Sequence, residues 1–156
     1  HENYKSPRRL IHTLCDVVSK GGNLLLNIAP GPDGEWHPEA YERLRDIGTW
    51  MQVNGEAIYG TRTPSNGHFC DGNLVITEKN GATYAIYLAG IGEDMMPEQV
   101  RLPNFSLKST TKIALLGFDN PLKYKQVGED LIIWLPVEAR NAPPGRYAWV
   151  FKVWNG

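Results

Sequence analysis

Apolar positions follow three successive rhythms along the chain. Leu10, Ile11, Leu14, Val17 and Val18 fall on one face of a helix. Ser6 offers an N-cap, and Pro7 takes the first helical position, where its missing N–H leaves nothing unsatisfied. Gly21 and Gly22 end that helix, since glycine accepts the positive φ of a C-cap. Asn23 to Ile28 is then a nearly continuous apolar run, the pattern of a strand covered on both faces and flanked by parallel neighbours. Two prolines, two glycines and Asp33 between Ala29 and Trp36 mark a rim loop. A second helix is predicted from Pro38 to about Val53, with Glu39 and Glu42 at its positive end. Tyr41, Leu44, Ile47, Met51 and Trp50 form its expected buried face, Asn54-Gly55 its stop, and His37 a candidate cap at its start. This grammar is that of a parallel α/β barrel or sheet, yet only one βα unit is present before the pattern changes.

The change comes between Gly60 and Gly67, where Thr, Pro, Ser, Asn and Gly dominate and an inter-domain linker is expected. Beyond it the pattern is that of strands. Leu74–Thr77 and Thr83–Leu88 flank Asn80-Gly81, the signal for a hairpin closed by a type I′ turn. Further strands are predicted at Gln99–Leu102, Lys112–Leu116, Lys123–Val127, Leu131–Leu135 and Tyr147–Val153. Turn residues at Asp119-Asn120-Pro121, Gly128 and Asn141 to Gly145 separate them. Short strands at this spacing predict an antiparallel β-sandwich.

Composition supports folded material: of 156 residues 42% are hydrophobic and 21% charged, which argues against disorder. The formal net charge is −1 and Lys/Arg are dispersed, so the basic footprint of a nucleic-acid binder is missing and a neutral polar partner such as a sugar fits. The apolar runs are too short to span a bilayer. No charged n-region with an apolar core opens the chain at His1; it starts mid-motif, as a fragment would, with any targeting segment expected upstream. Cys15 and Cys70 lack the spacing of a disulfide framework or a metal site.

Ser19-Lys-Gly-Gly-Asn-Leu-Leu-Leu-Asn-Ile-Ala-Pro30, followed downstream by Asn54-Gly55-Glu56-Ala57-Ile58-Tyr59-Gly60-Thr61-Arg62, resembles the end of the catalytic domain of α-L-fucosidases, glycoside hydrolase family twenty-nine. The resemblance reaches back through Tyr4-Lys5-Ser6 and continues more loosely through Thr110-Thr111-Lys112-Ile113 to Ala148-Trp149. The family usually has glycine where Ala29 stands. The resemblance implies that residues 1–62 are the C-terminal end of a (β/α)8-type barrel and residues 63–156 an all-β antiparallel sandwich. It also implies a retaining exo-hydrolase of terminal α-linked L-fucose, using no metal or organic cofactor, in a secreted, periplasmic or lysosomal parent. Such enzymes need two carboxyl groups about 5–5.5 Å apart. No position here matches the family's nucleophile or acid/base, so the chain alone is expected to be inactive, with the fucosylated glycan engaged by the missing barrel and residues 1–62 needing that barrel to fold.

Barrel enzymes act at the C-terminal ends of their strands, so the exit from the Asn23–Ile28 run supplies the rim candidates Asn27, Pro30 and Asp33. For Asn27 the alternative is an amide that ties down neighbouring backbone, and Pro30 and Gly31 serve to shape a turn. Asp33, Glu35 and Glu56 are not promoted to catalysts merely for being carboxylates. His12 reads as a packed helix histidine and Asp16 as a solvated carboxylate. Trp134, Tyr147, Trp149 and Trp154 could stack on sugars, although aromatics inside strands usually fill the core. They support an alternative in which the sandwich is a carbohydrate-binding or scaffolding module. Asn104-Phe105-Ser106 is a formal glycosylation acceptor.

Overall fold

A computed structural model describes residues 4–66 and 70–156. Helices α1 (Pro7–Ser19) and α2 (Pro38–Asn54) come first, α2 running into a 3₁₀ turn at Gly55–Ala57. Strands β1 (Cys70–Asp71), β2 (Leu74–Lys79), β3 (Ala82–Leu88), β4 (Gln99–Leu102), β5 (Thr111–Leu115), β6 (Lys123–Val127) and β7 (Asp130–Trp134) follow, then a short α3 (Val137–Asn141) and β8 (Ala148–Asn155). The strands form two antiparallel sheets, ordered β1-β2-β3-β8-β5 and β4-β7-β6. The predicted sandwich is thus present, with strand ends shifted by a residue or two.

Period-two patterning explains how the larger sheet is used. Leu74 and Ile76 of β2, Ala85 of β3 and Trp149, Phe151 and Val153 of β8 face Val100, Leu102, Leu131 and Ile133 of the smaller sheet. Their neighbours in sequence, Val75, Tyr84, Ile86, Ala148 and Val150, point the other way and pack with Ile11 and Cys15 of α1, Trp50 of α2, and Ala57 and Ile58. The helices therefore complete a second core on the outside of the sandwich. Two buried polar links fix them there: the Trp50 indole N–H donates to the Ala148 carbonyl at 2.9 Å, and the Thr77 hydroxyl to the Ala57 carbonyl at 2.7 Å.

Local chemistry at the element ends matches the sequence in most places. The Ser6 hydroxyl accepts the Arg9 amide at 3.2 Å. At the far end of α1, Gly21 has φ +82°, its amide reaches Val18 O, and the Gly22 amide reaches Val17 O, both at 2.9 Å. Asn80 and Gly81 both have positive φ, 52° and 78°, between paired Lys79 and Ala82, as a type I′ hairpin requires.

Several expectations are corrected. Asn23–Ile28 forms no strand: it has no paired neighbour among the described residues, and Leu25 is 84% and Leu26 40% exposed. A strand buried on both faces is defined by its neighbours, and none is supplied here. The buried face of α2 is rotated toward Ala40, Trp50 and Asn54, while Tyr41 is exposed and Leu44, Ile47 and Met51 are half-buried. His37 occupies the N-cap position without a side-chain capping bond. Gly55 has φ −59° and does not turn the chain; it lets the Tyr59 ring approach, since a Cβ there would lie 3.3 Å from that ring. The segment after Gly60 is bonded to the sandwich: Arg62 and Glu78 exchange backbone hydrogen bonds of 2.8 and 2.9 Å, and the Ser65 amide donates to the Glu78 carboxylate. Its expected end at Gly67 lies outside the described residues. α3 went unforeseen because five residues with one buried side chain, Ala139, carry no helical periodicity.

Trp50→Phe removes the indole donor to Ala148 and part of the ring volume between helix and sheet. The variant is expected to lose about 1–3 kcal/mol, read as a lower urea midpoint at unchanged slope.

Candidate functional site

The rim predicted from the sequence begins where residues 26–28 pass between the helix starts. Leu26, Asn27 and Ile28 line a cavity of about 140 Å³ with Leu10 of α1 and Ala40 and Leu44 of α2. Asn27 is exposed there, and its amide makes no hydrogen bond to the adjoining loop among the described residues. Ala29 is not at positive φ, so alanine sits there without strain.

The loop that follows is tightly closed. The Gly31 amide donates to Glu35 O at 2.7 Å, the Gly34 amide to Gly31 O at 3.0 Å, and Gly34 has φ +83°. Asp33 Oδ1 accepts the Glu35 amide at 3.1 Å, an Asx-type turn bond that turns this carboxylate back on its own loop. A Cβ on Gly31 would stand 3.0 Å from Asp33 Oδ1 and 3.2 Å from Glu35 O, which accounts for glycine there. Pro30 is exposed and shapes the turn.

Beside these residues the loop presents a cluster that sequence reasoning passed over. Trp36 and Tyr41 pack as a tilted ring pair with centroids 5.5 Å apart, and the Tyr41 hydroxyl donates to Glu35 Oε2 at 3.1 Å. That bond holds the phenol above its ordinary range. The only sequence signal was two aromatics flanking a helix start, which core packing would explain equally well.

The remaining candidates fall into structural roles. The His12 Nε2–H donates to Tyr147 O at 2.7 Å; burial, with the nearby Arg8 charge, lowers its pKa against that bond, so the ring is neutral near pH 7. Asp16 pairs with Lys20 one turn on at 2.7 Å. Cys15 is a free, buried thiol whose pKa burial pushes far up, the reverse of a reactive cysteine. Trp149 is 1% exposed in the inter-sheet core, stacked on Tyr87. It cannot present a face to a sugar. Tyr147 is half-buried with the Arg8 and Arg146 guanidinium groups over its ring, Trp154 is half-buried under Lys152, and Trp134 remains exposed.

Glu56 is the centre of a polar cluster at the edge of the helix-covered face. Its Oε2 accepts from the Tyr84 hydroxyl at 3.0 Å and from Lys152 Nζ at 2.8 Å. Burial raises the Glu56 pKa, but the Lys152 bond, the Tyr84 bond and the Lys152 and Lys79 charges outweigh it, and the carboxyl titrates below its ordinary value. Tyr84, buried beside that carboxylate, is pushed up to about 12. A general acid at neutral pH needs a raised carboxyl pKa, so Glu56 is tuned as a fixed anion.

A five-stranded sheet packed on a three-stranded one, with two helices over its outer face, has close relatives. The model for alpha-L-fucosidase matches residues 1–56 and that for the alpha-L-fucosidase C-terminal domain matches residues 70–154. The chain belongs to the alpha-L-fucosidase family. It is 36% identical over 146 residues to an alpha-L-fucosidase of Branchiostoma floridae, covering 92% of this chain and 32% of that protein. With human tissue alpha-L-fucosidase the identity is 37% over 149 residues, covering 92% of this chain and 30% of the relative. The crystal structure of Thermotoga maritima alpha-fucosidase superposes with a TM-score of 0.79 at 29% identity, over 98% of this chain and 35% of that one. The chain thus spans about a third of the length of the relatives it matches.

Because Glu56 has a folded-state pKa below the unfolded value of 4.5, its pairing adds stability above about pH 4.5 that is lost as pH falls through the lowered value. Glu56→Gln is expected to flatten that acid limb while changing stability at pH 7 by about 1 kcal/mol or less, since the pair is partly exposed. Urea midpoints for both proteins from pH 3 to 7 check this.

Proposed function

We propose that this chain is the carboxyl-terminal part of a retaining exo-α-L-fucosidase, which hydrolyses terminal α-linked L-fucose from glycans. The observation that carries the reading is the order of the two family matches, catalytic domain over residues 1–56 and C-terminal domain over residues 70–154. The exposed leucines support it. Leu25, 84% exposed, would gain about 1.5–3 kcal/mol from full burial and Leu26, 40% exposed, a smaller share, which barrel strands on either side would provide. In this reading residues 1–62 close the barrel and residues 63–156 form the sandwich behind it. The Thermotoga maritima enzyme has been solved in complex with fucose, and the same sugar is the proposed substrate here. Asn27, Pro30 and Asp33 stand on the rim of the fucose site, with Asp33 acting through the shape of its loop. The nucleophile and the acid/base belong to barrel segments outside these residues.

The purified chain, offered an aryl α-L-fucoside, is expected to release no aryl alcohol above the uncatalysed rate. Turnover abolished by one carboxylate substitution within these residues would overturn the assignment. Hydrogen exchange supplies an independent check: the amides of Leu24 to Ile28 should exchange freely while those of β3 and β8 are protected. Strong protection of 24–28 in a monomer would mean that the segment already has adequate partners.

A further inference from the structure

A cleft of about 310 Å³ opens at the edge of the sandwich where β2 passes β4, away from the barrel rim. Its floor is apolar: Leu74 and Ile76 of β2 and Leu102 of β4 are buried core residues that also line it. Phe105, packed on one side against the inter-sheet core, forms a wall. Polar groups ring the opening, among them Asn66, Asn104 and the Glu78 carboxylate. Its volume is at the lower end for small-molecule sites, and an apolar base with a few convergent polar groups is their usual make-up.

We propose that this cleft binds a neutral saccharide of one or two rings. The lining decides the chemical class. Among the described residues it contains no lysine or arginine, and the one charged side chain there is the Glu78 carboxylate, which repels an anion. A purely apolar ligand would cover the Asn66 and Asn104 side chains and the Glu78 carboxylate without replacing the hydrogen bonds that water gives them. A pyranose meets both demands, laying its C–H face on Phe105 while its hydroxyls pair with the amides and donate to the carboxylate.

The walls are held in place before any ligand arrives. The Phe105 amide donates to Glu129 O at 2.9 Å, and Gln126 grips the same segment, its Nε2 donating to Phe105 O at 3.0 Å and its Oε1 accepting the Leu107 amide at 2.9 Å. Asn104 is held in the left-handed region at φ +52°, its amide donating to Asp130 Oδ1 at 3.3 Å. On the opposite lip, Glu78 is fixed by its backbone exchange with Arg62 and by the Ser65 amide on its carboxylate. Preorganisation of this kind lowers the entropy lost on binding.

This inference goes beyond the fucosidase reading, and binding here is measured without turnover. The ¹⁵N-labelled intact chain is titrated with L-fucose, D-galactose, N-acetyl-D-glucosamine and lactose, with galactose 6-sulfate and glucosamine as anionic and cationic probes. At least one neutral sugar should give saturable shifts, with a millimolar Kd, at the amides of residues 64–66, 74–78 and 102–106, the charged probes binding more weakly. Asn104→Gly, which suits the left-handed backbone, should weaken that binding roughly tenfold at an unchanged Tm; Phe105→Leu should do the same, and if it unfolds the Asn104 variant decides. No saturable shift at those amides with any of the neutral sugars, tighter binding of a charged probe, or unaltered affinity in the Asn104 variant would overturn the proposal.

Discussion

The larger sheet is apolar on both faces, and that constraint organises everything else. β2, β3 and β8 alternate between two cores, so neighbouring residues such as Trp149 and Val150 are buried in opposite directions. One face is satisfied by the smaller sheet. The other requires α1 and α2, because without them Val75, Tyr84, Ile86 and Val150 would meet water. Each such side chain represents about 1.5–3 kcal/mol of burial. The helices are therefore as much a part of the sandwich's stability as of whatever lies on their far side.

That dual role clarifies the contrast within the first sixty residues. α1 and α2 are well packed on their sheet-facing sides and pinned by the Trp50 and Thr77 hydrogen bonds. The connection between them carries leucines into solvent, and its loop is closed by its own Gly31, Asp33 and Glu35 contacts. A segment whose loop is rigid while its apolar side chains are uncovered has the features of an interface. In the fucosidase reading proposed above, neighbouring barrel strands would be that cover.

Polar chemistry near the helices is taken up by structural bonds. Asp33 serves a turn, Asp16 pairs along its helix, and Glu56 is held ionised by Lys152 and Tyr84. Aromatic residues are similarly divided. Trp149 and Tyr84 fill cores, whereas Trp36, Tyr41 and Phe105 keep surface near loops that hydrogen bonds hold rigid.

What the sequence determined on its own was local. The Ser6 cap, the Gly21 helix stop, the Asn80-Gly81 hairpin and the strand alternation each depend on the φ preference or side-chain period of a few adjacent residues, and all stand in the structure. The leucines of residues 24–26 show the limit, because their pattern specifies a strand between neighbours and says nothing about whether neighbours are present. The face of α2 that is buried, the bonding of Arg62 to Glu78 and the meeting of Asn66, Glu78 and Phe105 at one cleft were decided only by tertiary packing. Those contacts join residues far apart along the chain, and no periodicity encodes the angle at which one element settles on another.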